Sequence, residues 1–155
     1  MSVTNITIAR IWHDMQDMDA SHLADLAETI NHSYAIRDAV LLAAIDDTMD
    51  ADTFSHIVED PHGTKDEMER RLTHTYQHPD SIPHIRTRRI ADGLAQQGLN
   101  RHMAHPLASA AYLHWILGDY QIAVDLANTA LQIDEDTSLA AIVISAICHG
   151  IGWGR

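Results

Sequence analysis

At 155 residues the chain is sized for one domain with a real core, and with 46% hydrophobic residues it is too apolar for intrinsic disorder. A formal charge of −12 argues against nucleic acid as the default partner, because an acidic surface repels phosphate backbones. One cysteine, Cys148, rules out an intramolecular disulfide and fits a reducing cytoplasm.

Met1 to Thr7 has neither a basic region nor a long apolar run, so no signal peptide is expected. Residues 4–16 predict a first helix with Ile8, Ile11, Trp12 and Met15 on one face, although Ile6 and Ile8 could alternate as a short strand. Asp19 or Ser21 can cap a second helix through Ile30, and Ser33 a third from Tyr34 to Asp46. Asp46, Asp47 and Asp50 crowd the next loop, and Asp52 is placed to cap a short helix over Thr53–Val58. Thr64 and Glu67 have capping-box spacing and open a mostly polar helix to about Gln77. His78 to Pro83 reads as a flexible loop. A helix with a thin apolar stripe follows and is expected to stop near Gly98, where the residue has no side chain to hold the turn.

The strongest pattern runs from Pro106 to Asp134. Leu107 to Leu117 is apolar almost all round, broken only by Ser109 and His114, which predicts a buried helix. After a Gly118-Asp119 corner, with Asp119 placed as an N-cap, Tyr120, Ala123, Leu126, Ala127, Ala130 and Leu131 recur at steps of three and four. Such a short corner makes the two helices antiparallel, and the alanines let them approach closely. Asp136 or Thr137 can cap a last helix to about His149; apolar on every side, it is expected to be central, with Cys148 an inert buried thiol. Gly150, Gly152 and Gly154 predict a loose tail. The elements make an all-α protein, a single domain over 1–155, with seven or eight short helices in a bundle or short solenoid.

Gly118-Asp119-Tyr120, Ala123, Ala127, Ala130-Leu131 and Asp134 resemble a tetratricopeptide repeat from its mid-repeat turn through its second helix. The first-helix signature positions fall on Leu107, Ala110-Ala111 and His114, which depart from it, and no second copy appears at a 34-residue period. The hairpin at 106–134 is therefore tetratricopeptide-like without implying an array. A wider resemblance rests on Ile36-Arg37-Asp38-Ala39, Trp115 with Gly118-Asp119, Ala130-Leu131, Ser138-Leu139-Ala140 and Gly150-Ile151-Gly152-Trp153. In these the chain resembles the C-terminal helical half of an actinobacterial family of uncharacterised proteins, a domain of unknown function, without that family's N-terminal α/β part. The resemblance implies a helical fold and no assigned activity.

Twelve histidines raise metal binding. His74 and His78 are four apart, His102 and His105 three apart, spacings that can put two imidazoles on one helix face. Neither pair carries the Glu of a zinc-protease motif, and a structural zinc site needs four ligands, so solvated histidines are the simpler account. His114 could act as a pH switch, although a satisfied core histidine is the commoner arrangement. Seven of the ten basic residues lie between Lys65 and Arg101, and Arg86 and Arg89 share a helical face. They could form a nucleic-acid patch, or pair with the acids of the same chain or a second subunit. Asp46, Asp47 and Asp50 lack calcium-loop spacing, and no phosphate loop, nucleophile elbow or Cys–His signature is present. The sequence therefore points to a cytoplasmic protein–protein interaction or oligomerisation module, a homodimer or helical adaptor with no catalytic residues and no cofactor. The alternative is a metal or small-ligand binder built on His74, His78, His102 and His105.

Overall fold

The computed structural model describes residues 5–17 and 19–154. Among them are nine α-helices and no strand: α1 (Asn5–Asp17), α2 (Ala20–His32), α3 (Tyr34–Ile45), α4 (Ala51–Glu59), α5 (Lys65–Gln77), α6 (His84–Arg101), α7 (Ala104–Leu117), α8 (Tyr120–Ile133) and α9 (Ser138–Cys148). A 3-10 turn over Pro79–Ser81 leads into α6. The strand alternative at Ile6–Ile8 is overturned, since that backbone is helical; the expected helix start at residue 4 lies outside the described residues.

The helix count exceeds the expected seven or eight, and α4 shows why a short segment holds. Asp50, not Asp52, is its cap, accepting from the Thr53 N–H at 2.8 Å, which starts the helix earlier and aims Phe54 into the core. Asp19 caps α2 through the Ser21 N–H and Ser33 caps α3 through the Ile36 N–H, as their positions implied. Three expected caps do not form, and one of them is at α9, where the Thr137 hydroxyl donates to the Asp134 carbonyl at 2.7 Å and makes no cap bond. The Thr64 hydroxyl donates back to the Asp60 carbonyl at 2.7 Å, so the capping box is not made and Glu67 instead accepts from Arg71. Asp119 makes no cap bond to α8, because His114 and Arg88 occupy its carboxylate.

The helix α7 is the hub. It packs on α2, α3, α6, α8 and α9, and eleven of its fourteen residues are buried. Successive helices from α6 to α9 each lie against the next, while α1 to α4 form a second group that meets the first through α2 and α3. The α7–α8 turn closes as the sequence implied: Gly118 sits at φ 87°, a left-handed position that glycine adopts without strain, and its N–H meets the Trp115 carbonyl. Ala123, Ala127 and Ala130 are buried in the seam.

Gly98 does not stop α6. The helix runs on to Arg101, and His102 provides the left-handed cap at φ 52°. The glycine is needed because α7 crosses there: a Cβ would stand 2.6 Å from Leu107 Cγ and 3.2 Å from the Leu107 backbone N. At Gly93, about one and a half helix turns earlier, the atoms nearest a Cβ belong to the movable Leu23 side chain, the closest a methyl at 2.7 Å. Gly98→Ala should therefore destabilise by about 1–3 kcal/mol through overpacking, despite the better helix propensity of alanine. Gly93→Ala should stay within about 1 kcal/mol of the parent. Urea unfolding of the two variants checks this, and equal effects would refute a close α6–α7 approach at Gly98.

The last helix departs most from expectation. Only Leu139, Ala140 and Val143 of α9 are buried, all on the side that meets α7 and α8. The helix ends the stack instead of filling its centre, because no element of the described chain lies on its other side. The tail after it is not loose. Trp153 packs edge-on against Tyr76, Tyr112 and Trp115, and Trp115 Nε1 donates to the Ile151 carbonyl at 2.8 Å. Burial pushes the Tyr112 hydroxyl, at the base of this aromatic group, up to about 12, with the Asp38 charge adding to the shift.

Candidate interaction surface

Most arginines of the basic segment are tied to groups of the same chain, while Lys65 and Arg89 are exposed. Arg71, on α5, donates to Asp46 Oδ2 at 2.7 Å and to Glu67 at 3.2 Å. Arg86 reaches inward to the Ala43 carbonyl at 2.8 Å and lies 3.5 Å from Asp47, and burial lowers its pKa against the pull of the aspartates. Arg88 pairs with Asp119, and Arg101 with Glu28 and the Ala24 carbonyl. Arg86 and Arg89 therefore do not form one patch: the first is drawn under α3 while the second is exposed. These pairs join α5 and α6 to acids of the same chain, the arrangement that competes with nucleic-acid binding.

The acidic loop is structural as well. Asp46 is 9% exposed and accepts from the Thr48 N–H and hydroxyl as well as from Arg71. Burial pushes its pKa up, but the Thr48 and Arg71 hydrogen bonds outweigh that and hold it below the ordinary 3.8. Asp50 is lowered by its cap bond to Thr53.

The histidine pairs do not converge on a shared point. His74 and His78 are exposed and stack on each other, with centroids 4.3 Å apart, and His78 Nδ1 donates to the His74 carbonyl at 2.9 Å. His102 caps α6 on the surface, whereas His105 lies half-buried, edge-on to Tyr34 at 5.4 Å. Burial lowers the His105 pKa, with the Arg37 charge acting in the same direction. Among the described residues no three His, Cys, Asp or Glu side chains are grouped so that they could hold a metal ion.

His114 is a satisfied core histidine. It is 2% exposed, and its two ring nitrogens each lie 3.1 Å from a carboxylate oxygen, Nδ1 from Asp119 and Nε2 from Asp92. Asp119 also receives Arg88 at 3.1 Å. Burial raises the Asp119 pKa, but the His114 and Arg88 hydrogen bonds prevail and hold it below the usual carboxylate value. The cluster ties α6 to the α7–α8 turn. No sequence signal pointed to Asp92, which lies 22 positions from His114 and meets it only because α6 and α7 pack together.

Large hydrophobics are exposed at Tyr34, Ile85 and Leu99, and an uncharged helical surface is exposed on the outer side of α9. Its eleven residues include no acid and no base. Ser138, Ala141, Ile142, Ser145 and Cys148 are exposed at helical spacing, with Ile142 at 58%, while Ile144 and Ile147 are half-buried at the margins. Ile151 beyond the helix is exposed too. Cys148 is therefore not the buried thiol its surroundings suggested, because the apolar run is covered on one side only. The packed neighbour α8 exposes Ile122 and Ile133. The outer side of α9 is thus an uncharged, isoleucine-bearing surface on a strongly acidic chain. Among the described residues no helix is long and apolar enough to cross a membrane.

No protein-family model, curated protein or solved structure matches the chain.

Proposed function

We propose that this protein works by protein–protein contact, without catalysis, in the cytoplasm, and that the outer side of α9 is the contact face. The observation that carries the proposal is the exposure of Ile142 and its uncharged neighbours at the end of the helical stack. A stack of helices needs a polar outer side on its last member to stay dispersed. Here the outer side of the last member carries two serines but no charge, and it exposes Ile142, so a covering partner accounts for the residues that occupy it. The likeness to an actinobacterial family of uncharacterised helical proteins rests on the motifs in the sequence and is compatible with a binding role. The tetratricopeptide-like character of the α7–α8 hairpin fits the same role, since it supplies a rigid support behind α9.

Photo-crosslinking in cells tests the face. Benzoylphenylalanine in place of Ser145 should give discrete adducts, whereas the same group in place of Glu69, exposed on α5, should give none of them. Adding Ile142→Gln should remove the adducts without altering the melting temperature, because Ile142 is mostly in solvent already. Adducts that persist in the Ile142→Gln background, or that form equally from position 69, would refute α9 as the contact.

A further inference from the structure

Resting on that reading, we infer that the molecule covering α9 is a basic amphipathic helix of another protein, with apolar side chains on Ala141 and Ile142 and Lys or Arg on the acidic turn that precedes α9. The inference follows from charge. Residues 102–154 contain five acids and no Lys or Arg. Asp119 is occupied by His114 and Arg88. No basic side chain among the described residues pairs with Asp125, Asp134, Glu135 or Asp136. The last three form the α8–α9 turn, where Asp134 Oδ1 accepts from the Asp136 N–H, and Glu135 and Asp136 are exposed. The apolar stripe of α9 thus begins at a concentrated negative charge and runs away from it over uncharged side chains to Cys148.

A second copy fits this face poorly. It would bring the same turn acids to the contact, on a chain whose net charge is also −12, and like charges juxtaposed across an interface disfavour it. An apolar stripe with a basic edge satisfies both halves of the surface. It buries Ile142 against apolar side chains at i, i+3 and i+4, as one helix packs on another, and neutralises the turn. Because the neutralising charges are at the rim, they should speed association and make binding sensitive to salt.

The probe is a fluorescein-labelled peptide of about 18 residues, long enough to hold a helix, with Leu at i, i+3, i+4 and i+7 and Lys elsewhere. A matched peptide carries Glu in place of each Lys. Anisotropy with the full chain should show binding of the Lys peptide and none of the Glu peptide. Ile142→Gln should weaken the Lys peptide by about tenfold or more, and so should the neutralised turn Asp134→Asn/Glu135→Gln/Asp136→Asn. Both variants change exposed or half-exposed side chains, and circular dichroism confirms that they fold. Lys-peptide binding that is indifferent to Ile142→Gln would overturn the inference, because it would be adsorption to general negative charge. Equal binding of the Lys and Glu peptides, each sensitive to Ile142→Gln, would overturn the basic partner while leaving α9 as the contact face. A chain that dimerises by light scattering, and becomes monomeric with Ile142→Gln, would make the occupant a second copy and overturn the inference in the same way. Failure of the crosslinking result above removes the face itself, so the two readings fail separately.

Discussion

Phe54→Ala is expected to lower stability by about 3–5 kcal/mol, the range for emptying a fully buried aromatic position. Phe54 is the chain's single phenylalanine, wholly inside the core, and its ring lies 5.4 Å from that of Trp12 on α1. The nine-residue helix that carries it is too short to persist on its own, so its helicity depends on packing. Ile57 and Val58 would still contact the core, but the largest anchor of α4 would be gone. The melting temperature should fall by roughly 10 °C, at the 2–4 °C per kcal/mol usual for a chain of this size. With Trp115 and Trp153 replaced by Phe in both parent and variant, Trp12 fluorescence should report loosening of the α1–α4 contact at lower urea than the far-ultraviolet circular dichroism signal. A loss below about 1 kcal/mol would mean that α4 is not docked through Phe54.

The second large effect is expected at Arg71. Replacing it with Met keeps the aliphatic stem but leaves Asp46 buried against Thr48 without its cation. Removing one partner of a buried pair costs about 3–5 kcal/mol, and partial solvent access at the Arg71 side chain brings the expectation down to about 2–3 kcal/mol. The added change Asp46→Asn should restore part of the loss, because the penalty of the unpaired charge disappears while the Thr48 hydrogen bonds can still be accepted. The same pair sets a pH dependence. The Asp46 carboxyl titrates below 3.8 in the folded protein, as do Asp50 and Asp119. A group depressed in this way stabilises the fold fully above its unfolded value, and the contribution is lost as pH falls through the folded one. Wild-type stability should therefore drop below about pH 4. In Arg71→Met the acid limb should flatten in part, because Asp46 loses the Arg71 contribution while the Thr48 hydrogen bonds still hold it low. Urea unfolding at pH 7 and pH 3 measures both effects. An acid limb equally steep in the variant would show that Arg71 does not hold Asp46.

The histidine-rich composition had suggested ligands, and the geometry redistributes those residues into separate tasks. His74 and His78 close the end of α5, His102 caps α6, and the buried His114 reaches out to Asp92 and Asp119 nearer the surface. Nearest-neighbour spacing along the chain could not reveal this, because a ligand set or a buried polar bridge is completed by residues from other helices. The arginines behave similarly. Their clustering between Lys65 and Arg101 resembled a patch, but Arg71 and Arg86 reach Asp46, Ala43 and Asp47, more than twenty positions earlier.

The sequence by itself determined the helical class, most of the element positions and the buried identity of α7, because apolar repetition at three and four residues and local cap bonds depend only on near neighbours. It also placed the Gly118 corner correctly, since a left-handed turn favours glycine wherever it occurs. Only the tertiary structure decided that Gly98 is a crossing point, that Asp119 serves His114 instead of α8, and that α9 lies outermost. An apolar helix reads the same whether one or both sides are covered. Which sides are covered depends on where the stack ends, and that is a property of the packed chain and not of the eleven residues themselves.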